Sequence, residues 1–116
     1  MKFSIIRALE TVSESMKIIY VDGIKTSYVV DDEGDVYNIR RTKPLKHEID
    51  KDGYHCVTIY VNGHPKHICV HMLVAIAFVP NPDNKQHVKH LDGDKSNNRP
   101  YNLEWVEEKE SIQQIQ

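Results

Sequence analysis

The sequence predicts one α+β domain in which antiparallel strands make up most of the chain and a short buried helix follows them. Three observations carry this prediction. Asn62-Gly63 is the preferred pair for a two-residue type I′ hairpin turn, and alternating apolar residues flank it. Residues 31–34 form a second turn between β-branched runs. Residues 72–78 are apolar nearly all round, which is typical of a buried helix.

The composition excludes several classes of protein. The chain has 116 residues, 40% of them hydrophobic and 28% charged, with a formal net charge of −2. This length favours a single domain with a core of its own. No run approaches the roughly 20 apolar residues of a membrane span, and the N-terminus lacks the pattern of a signal peptide. The two cysteines are too few for a secreted disulfide scaffold. We therefore predict a cytoplasmic protein without a membrane partner, and the sequence leaves its oligomeric state open.

Three segments are expected along the chain: an N-terminal helical segment (1–16), a strand module (17–69) and a C-terminal core (70–116). An apolar stripe predicts the first helix, formed by Ile5, Ile6, Leu9, Val12 and Met16. Strands are then predicted at residues 17–21, 27–30 and 35–39. After the buried helix, a polar loop is expected at residues 94–101, followed by the run 102–106, and residues 107–116 suit a final helix.

The Asn62-Gly63 turn sets the register of the central hairpin, so that Val61 faces His64 and Val57 faces Ile68. One face is then apolar, with Val57, Ile59, Val61, Ile68 and Val70. The other face carries Tyr54, Cys56, Thr58, Tyr60, His67, Cys69 and His71.

That second face contains possible zinc ligands, namely Cys56, His67, Cys69 and His71. Side chains two residues apart on a strand start about 6.5 Å apart. Zinc needs its ligands within about 2.0–2.3 Å of one point, so a flat face does not easily bring four together. We expect a partly buried polar face instead. Neither cysteine lies in a clearly electropositive setting, so a cysteine nucleophile is not expected.

The net negative charge is unfavourable for non-specific DNA binding, but basic residues cluster locally. One stretch contains Arg40, Arg41, Lys43, Lys46 and His47. A second contains Lys85, His87, Lys89, His90, Lys95 and Arg99. These stretches are either candidate phosphate contacts or ordinary solvated charge.

Three segments of the sequence resemble one family. Residues 70–82 read VHMLVAIAFVPNP, which is similar to the pattern VHRLVAxAFxPNP. Residues 88–98 read VKHLDGDKSNN and are followed by NLEWV at 102–106, similar to VNHxDGNKxNN…NLEWV. Residues 28–38, YVVDDEGDVYN, resemble a strand module that often precedes this core. These patterns belong to the HNH homing endonucleases of phages and introns, and the resemblance covers about residues 17–116.

The resemblance implies a ββα-metal (HNH, His-Me finger) core that holds one divalent cation, Mg²⁺ or Mn²⁺, against a scissile phosphate of DNA. It makes His90 the general base and Asn102 the residue that orients the loop between the strands. It gives His71 a structural or phosphate-contacting role. The implied nucleic-acid contacts are Arg40, Arg41, Lys43, Lys46, His71, Lys95 and Arg99.

The metal-ligand positions depart from the family pattern. Lys89 stands where the family has Asp or Asn, and an ammonium group offers no lone pair to a cation. Ser111 stands where the family has Asn or His, and serine is a weak neutral ligand. Glu107, Glu108 and Glu110 are possible substitutes, because hard cations prefer carboxylates. The chain also ends soon after the core, where homing relatives usually continue into a DNA-reading extension.

Three functions remain open from the sequence. The first is a protein that binds DNA or a host or defence protein, as an inhibitor or regulator with lost or impaired nicking. The second is an active divalent-metal-dependent nicking endonuclease that uses His90. The third is a binder of nucleotide-like small molecules that needs no metal cofactor.

Overall fold

The computed structural model describes residues 6–109 of the chain, without the side chains of residues 8–11. Within these residues the fold is α+β, as predicted. The strands are β1 (Ile6–Ser13), β2 (Met16–Val21), β3 (Ile24–Asp31), β4 (Val36–Asn38), β5 (Glu48–Ile49), β6 (His55–Val61), β7 (His64–Cys69), β8 (His87–His90) and β9 (Leu103–Val106). The helix α1 spans Val70–Phe78, and a 3₁₀ turn spans Pro100–Asn102.

The strands form three antiparallel sheets, in the orders β1-β2-β3-β4, β5-β6-β7 and β8-β9. Tight turns join the paired strands. Asn62 and Gly63 have φ of 52° and 79°, and Asp22 and Gly23 have φ of 52° and 80°. Two successive positive φ values define a type I′ turn, so the local sequence determines both hairpins. The predicted register is confirmed, with Val61 opposite His64 and Val57 opposite Ile68.

Helix α1 connects the three sheets into one packed unit. Its buried residues Leu73 and Val74 join side chains from all three sheets in a continuous core. The members of this core that come from the sheets include Ile19, Val30, Val36, Val57, Ile59, Val88 and Leu103. The helix was predicted at 72–78, and it begins two residues earlier, directly after β7. His71 is therefore the second residue of the helix and lies at the end of the central hairpin.

The predicted N-terminal helix is wrong for the residues that the structure describes. Residues 6–13 form strand β1, which pairs with β2 from Ile6 opposite Val21 to Ser13 opposite Met16. A short apolar stripe does not distinguish a helix from a bulged strand, and Thr and Ser residues weaken a helix. The neighbouring strand β2 supplies ladder hydrogen bonds, and this long-range partner outweighs weak local helix propensity.

The predicted final helix falls mostly outside the described residues. Residues 107–109 are not helical, and residues 110–116 are not described. The two strands of the expected ββα core are β8 and β9, which pair from His87 opposite Val106 to His90 opposite Leu103. Among the described residues, no helix has the length and apolar character needed to cross a membrane.

Candidate functional site

His90 ends strand β8 with only 2% of its surface exposed. Its Nε2 atom lies 2.7 Å from Oδ1 of Asn98. An amide oxygen only accepts hydrogen bonds, so Nε2 carries the hydrogen and donates it. In the neutral ring the lone pair then lies on Nδ1, which is the tautomer a general base at Nδ1 requires.

His90 belongs to a cluster of three aromatic rings, formed by Tyr54, His71 and His90, which we call the ring cluster. The ring centroids of Tyr54 and His71 are 4.8 Å apart, and those of His71 and His90 are 4.9 Å apart. Lys95 covers the outer side, with Nζ 4.6 Å from the centre of the Tyr54 ring and 2.7 Å from the carbonyl oxygen of Asp52. His71 and Lys95, both predicted phosphate contacts, therefore lie beside the predicted base.

Asn102 connects the two ends of the loop between β8 and β9. Its Oδ1 accepts a hydrogen bond from the Asp92 backbone at 3.0 Å. Its Nδ2 donates to Oδ1 of Asp92 and to the carbonyl oxygen of Asn97, each at 2.9 Å. The side chain is buried, so these bonds replace water inside the loop. This arrangement suits the loop-orienting role that the resemblance assigns to Asn102.

The same loop places two carboxylates near His90. Hydrogen bonds from Asn97, from the Asp94 backbone and from Asn102 lower the pKa of Asp92, and the positive charge of His90 lowers it further. Hydrogen bonds from the Ser96 side chain and backbone lower the pKa of Asp94. Both groups are therefore ionised at neutral pH.

Two further histidines lie beside the site, and the sequence reasoning did not select them as a pair. Nδ1 of His47 is 3.0 Å from Nδ1 of His55. Burial lowers the pKa of His55, the charges of His47 and His90 lower it further, and Asp94 opposes them. His47 ends the first basic stretch, in which Arg40, Arg41, Lys43 and Lys46 are exposed. The pair thus connects an exposed basic segment to the surroundings of His90.

The remaining predicted site residues lie apart from the ring cluster or outside the described residues. Lys89 is exposed and lies opposite Glu104 in the β8-β9 ladder. Arg99 is exposed and contacts Asn97 at 3.3 Å and Glu33 at 3.5 Å. Glu107 and Glu108 are exposed, whereas Glu110 and Ser111 lie outside the described residues.

Neither cysteine has the features of a nucleophile. Burial raises the pKa of Cys56 to about 12, and the nearby Cys69 and Asp50 add to this shift. Burial also raises the pKa of Cys69. The His67 ring has partners of its own, since its Nδ1 lies 3.3 Å from the Thr58 hydroxyl and 3.5 Å from a Glu48 carboxylate oxygen.

The fold and site define a nuclease-like core of the ββα-metal type, and the comparisons with known proteins agree. Residues 68–111 match the HNH endonuclease family. The chain is 41% identical over 93 residues to DNA endonuclease I-HmuI of Bacillus phage SP01, which covers 80% of this chain and 53% of that protein. It is 41% identical over 86 residues to an uncharacterised HNH endonuclease of Acanthamoeba polyphaga mimivirus, covering 74% of this chain and 26% of that protein.

A solved structure also resembles the chain. This structure concerns DNA binding and cleavage by the HNH homing endonuclease I-HmuI. It matches with a TM-score of 0.63 and a sequence identity of 43%, and the match covers 71% of this chain and 47% of the I-HmuI chain. The chain belongs to the HNH homing endonuclease family. It spans about half the length of I-HmuI and about a quarter of the mimivirus relative.

Gly34, in the turn before β4, lies close to Asn98, which bonds to His90. Gly34 has φ of +90°, and a Cβ atom there meets Cβ of Asn98 at 3.3 Å. Gly34→Ala is expected to lower the free energy of unfolding by about 1–3 kcal/mol, because an L residue is strained at this φ. It should also displace Asn98 and alter the imidazole NMR shifts of His90. Urea unfolding measures the first effect.

Gly23→Ala is the matched control, since Gly23 has φ of +80° but nothing within 4 Å of the added Cβ. It carries the backbone strain alone and should leave the His90 signals unchanged. Equal effects of the two substitutions on stability and on His90 would contradict the proposed support of Asn98.

Proposed function

We propose that this chain binds DNA through the face around His90 and that its metal-dependent nicking is lost or impaired, so that it acts as an inhibitor or regulator. The observation that carries the proposal is Lys89, which directly precedes His90 in β8. HNH endonucleases generally use a divalent metal. The resemblance implies an oxygen ligand at the position of Lys89.

The residues described here do not fit a hard cation at the family position. The ammonium group of Lys89 offers no lone pair and puts positive charge where the resemblance implies a cation. Lys89 lies opposite Glu104 in the β8-β9 ladder, and both side chains are exposed. The proposed function therefore involves no metal at this position.

DNA binding is supported by the exposed basic segment that leads to the site. Arg40, Arg41, Lys43 and Lys46 project from the segment between β4 and β5, and this segment ends at the His47–His55 pair. Contacts between basic side chains and phosphates supply most non-specific affinity for DNA, and they produce a steep dependence on salt.

A supercoiled-plasmid assay with Mg²⁺, Mn²⁺ or EDTA tests the loss of nicking. The full chain should nick no faster than His90→Ala under any of these conditions, while both proteins still bind DNA. Metal-dependent nicking that disappears in His90→Ala would overturn the proposal. It would favour the second candidate function, an active nicking endonuclease, which the hydrogen bond between Asn98 and the Nε2–H group of His90 supports.

Binding to a fluorescent duplex tests the basic segment. Arg40→Gln with Arg41→Gln should weaken binding similarly for unrelated sequences and reduce the slope of log K against log salt by about two, roughly one for each lost phosphate contact. Lys25→Gln, an exposed change on β3, is the control and should have little effect. An unchanged slope in the double variant would remove this segment from the DNA interface.

A further inference from the structure

We propose that Asp50, Cys56 and Cys69 form a binding site for a thiolate-preferring divalent cation of the Zn²⁺ class. Asp50 follows β5, Cys56 lies in β6 and Cys69 ends β7, so one ion would connect all three strands of this sheet. One ligand atom from each residue lies within 4.8 Å of the others. This site is separate from the position that the HNH family uses for its metal, and it does not depend on the proposed function.

The sulfur atoms already have the spacing of a zinc site. Sγ of Cys56 is 3.7 Å from Sγ of Cys69, because the two residues are direct cross-strand partners. Two Zn–S bonds of about 2.3 Å at a tetrahedral angle place their sulfurs about 3.8 Å apart. The thiol pair therefore needs almost no movement to bind the ion.

Asp50 supplies a carboxylate oxygen that its backbone neighbours hold in place. Its Oδ1 accepts hydrogen bonds from the backbone of Asp52 and of Tyr54, each at 2.9 Å. Its Oδ2 lies 3.9 Å from Sγ of Cys56. A zinc ion bound by both atoms requires an oxygen–sulfur distance of about 3.5 Å. Oδ2 of Asp50 and Sγ of Cys56 therefore need to approach each other by only a few tenths of an ångström. Such outer hydrogen bonds are typical of metal-binding carboxylates.

A cleft of about 180 Å³ gives the ion a route to the site, and its lining includes Asp50, Cys69, His71, Met72 and His87. Water from the cleft takes the fourth coordination position in the proposed site. Each ion bound displaces one proton from each thiol, because thiolates are the ligands. Cys69 precedes helix α1, and Tyr54 lies between Asp50 and Cys56 in sequence. The bound ion would therefore restrict the motion of the backbone segments that carry Tyr54 and His71.

Titration of the reduced full chain with Co²⁺, followed by displacement with Zn²⁺, tests the site. We expect one Co²⁺ per chain with a thiolate-to-cobalt charge-transfer band, which Zn²⁺ then removes. Asp50→Asn and Cys69→Ser should each weaken binding roughly tenfold or more, since the first replaces a carboxylate with a neutral amide and the second replaces a thiolate with a hydroxyl group. Zn²⁺ should raise the melting temperature of the wild-type chain, and Mg²⁺ should not.

Substitutions of a cysteine and of a nearby histidine distinguish this site from non-specific metal binding. Cys56 is fully buried, so the half-buried Cys69 is the safer position for substitution, with folding checked by circular dichroism. His67→Ala, on the same hairpin but bonded to Thr58, is the control and should bind Co²⁺ normally. No charge-transfer band, or equal binding in Cys69→Ser, overturns the site. Unchanged binding in Asp50→Asn overturns the assignment of Asp50.

Discussion

The double substitution Lys89→Asp with Ser111→Asn is expected to raise Mg²⁺-dependent nicking by about 100-fold or more. The reason is the chemistry of the ligands. Aspartate and asparagine provide oxygen atoms for a hard cation, whereas Lys89 provides only positive charge. A gain of 100-fold corresponds to about 3 kcal/mol of transition-state stabilisation, which lies within the range of a metal acting on a phosphoryl group.

Supercoiled-plasmid nicking with Mg²⁺ and with EDTA measures this gain. Lys25→Asp has the same change of charge on β3 and serves as the control, so any general effect of charge on DNA binding is subtracted. His90→Ala in the restored background should abolish the gained activity, because nicking then lacks its base. If the double variant remains inactive, the family ligand positions are assigned to the wrong residues or the site has diverged further.

Asn102→Ala is expected to cause the largest loss of stability among single changes in the site, about 2–4 kcal/mol. The substitution removes three part-buried hydrogen bonds of the Asn102 side chain, two with Asp92 and one with the Asn97 carbonyl. Each contributes about 0.5–1.5 kcal/mol net, and the groups left behind remain partly buried. Urea unfolding followed by Trp105 fluorescence measures the loss.

Two variants separate the role of Asn102 from a general effect on the loop. Asn97→Ala removes two exposed hydrogen bonds, the 3.0 Å bond that Asn97 donates to Asp92 and the 3.3 Å bond that it accepts from Arg99, and should cost less than about 1 kcal/mol. Asn102→Asp keeps the size but places a carboxylate against Oδ1 of Asp92, where Nδ2 now lies at 2.9 Å, so it should destabilise the loop strongly. Equal stabilities of Asn102→Ala and Asn97→Ala would rule out this role.

The elements that the sequence predicted well are those whose signal is local. The Asn62-Gly63 turn specifies its own backbone conformation, and the register of the hairpin follows from it. Strand β1 was missed because its identity depends on pairing with β2, and the residues within 6–13 have no strong preference of their own.

The candidate site divides in the same way. The resemblance pointed to His90 and Asn102, and their roles stay predictions for the experiments above. The hydrogen bond from His90 to Asn98 was not foreseen. The contact of Gly34 with Asn98 joins residues far apart in the sequence, so no local pattern indicates it.

The sequence by itself determined the antiparallel architecture, the apolar face of the central hairpin, and the lysine that precedes His90, because each depends on residue type and short-range spacing. Only the tertiary structure decided which polar groups meet. In the folded chain Tyr54 stacks on His71, and Asp50 lies beside the thiols of Cys56 and Cys69. The residues of one flat strand face would not come together in this way without the loop that carries Asp50. Contacts of this kind depend on how the sheets and the helix pack together, and that packing is a property of the whole chain.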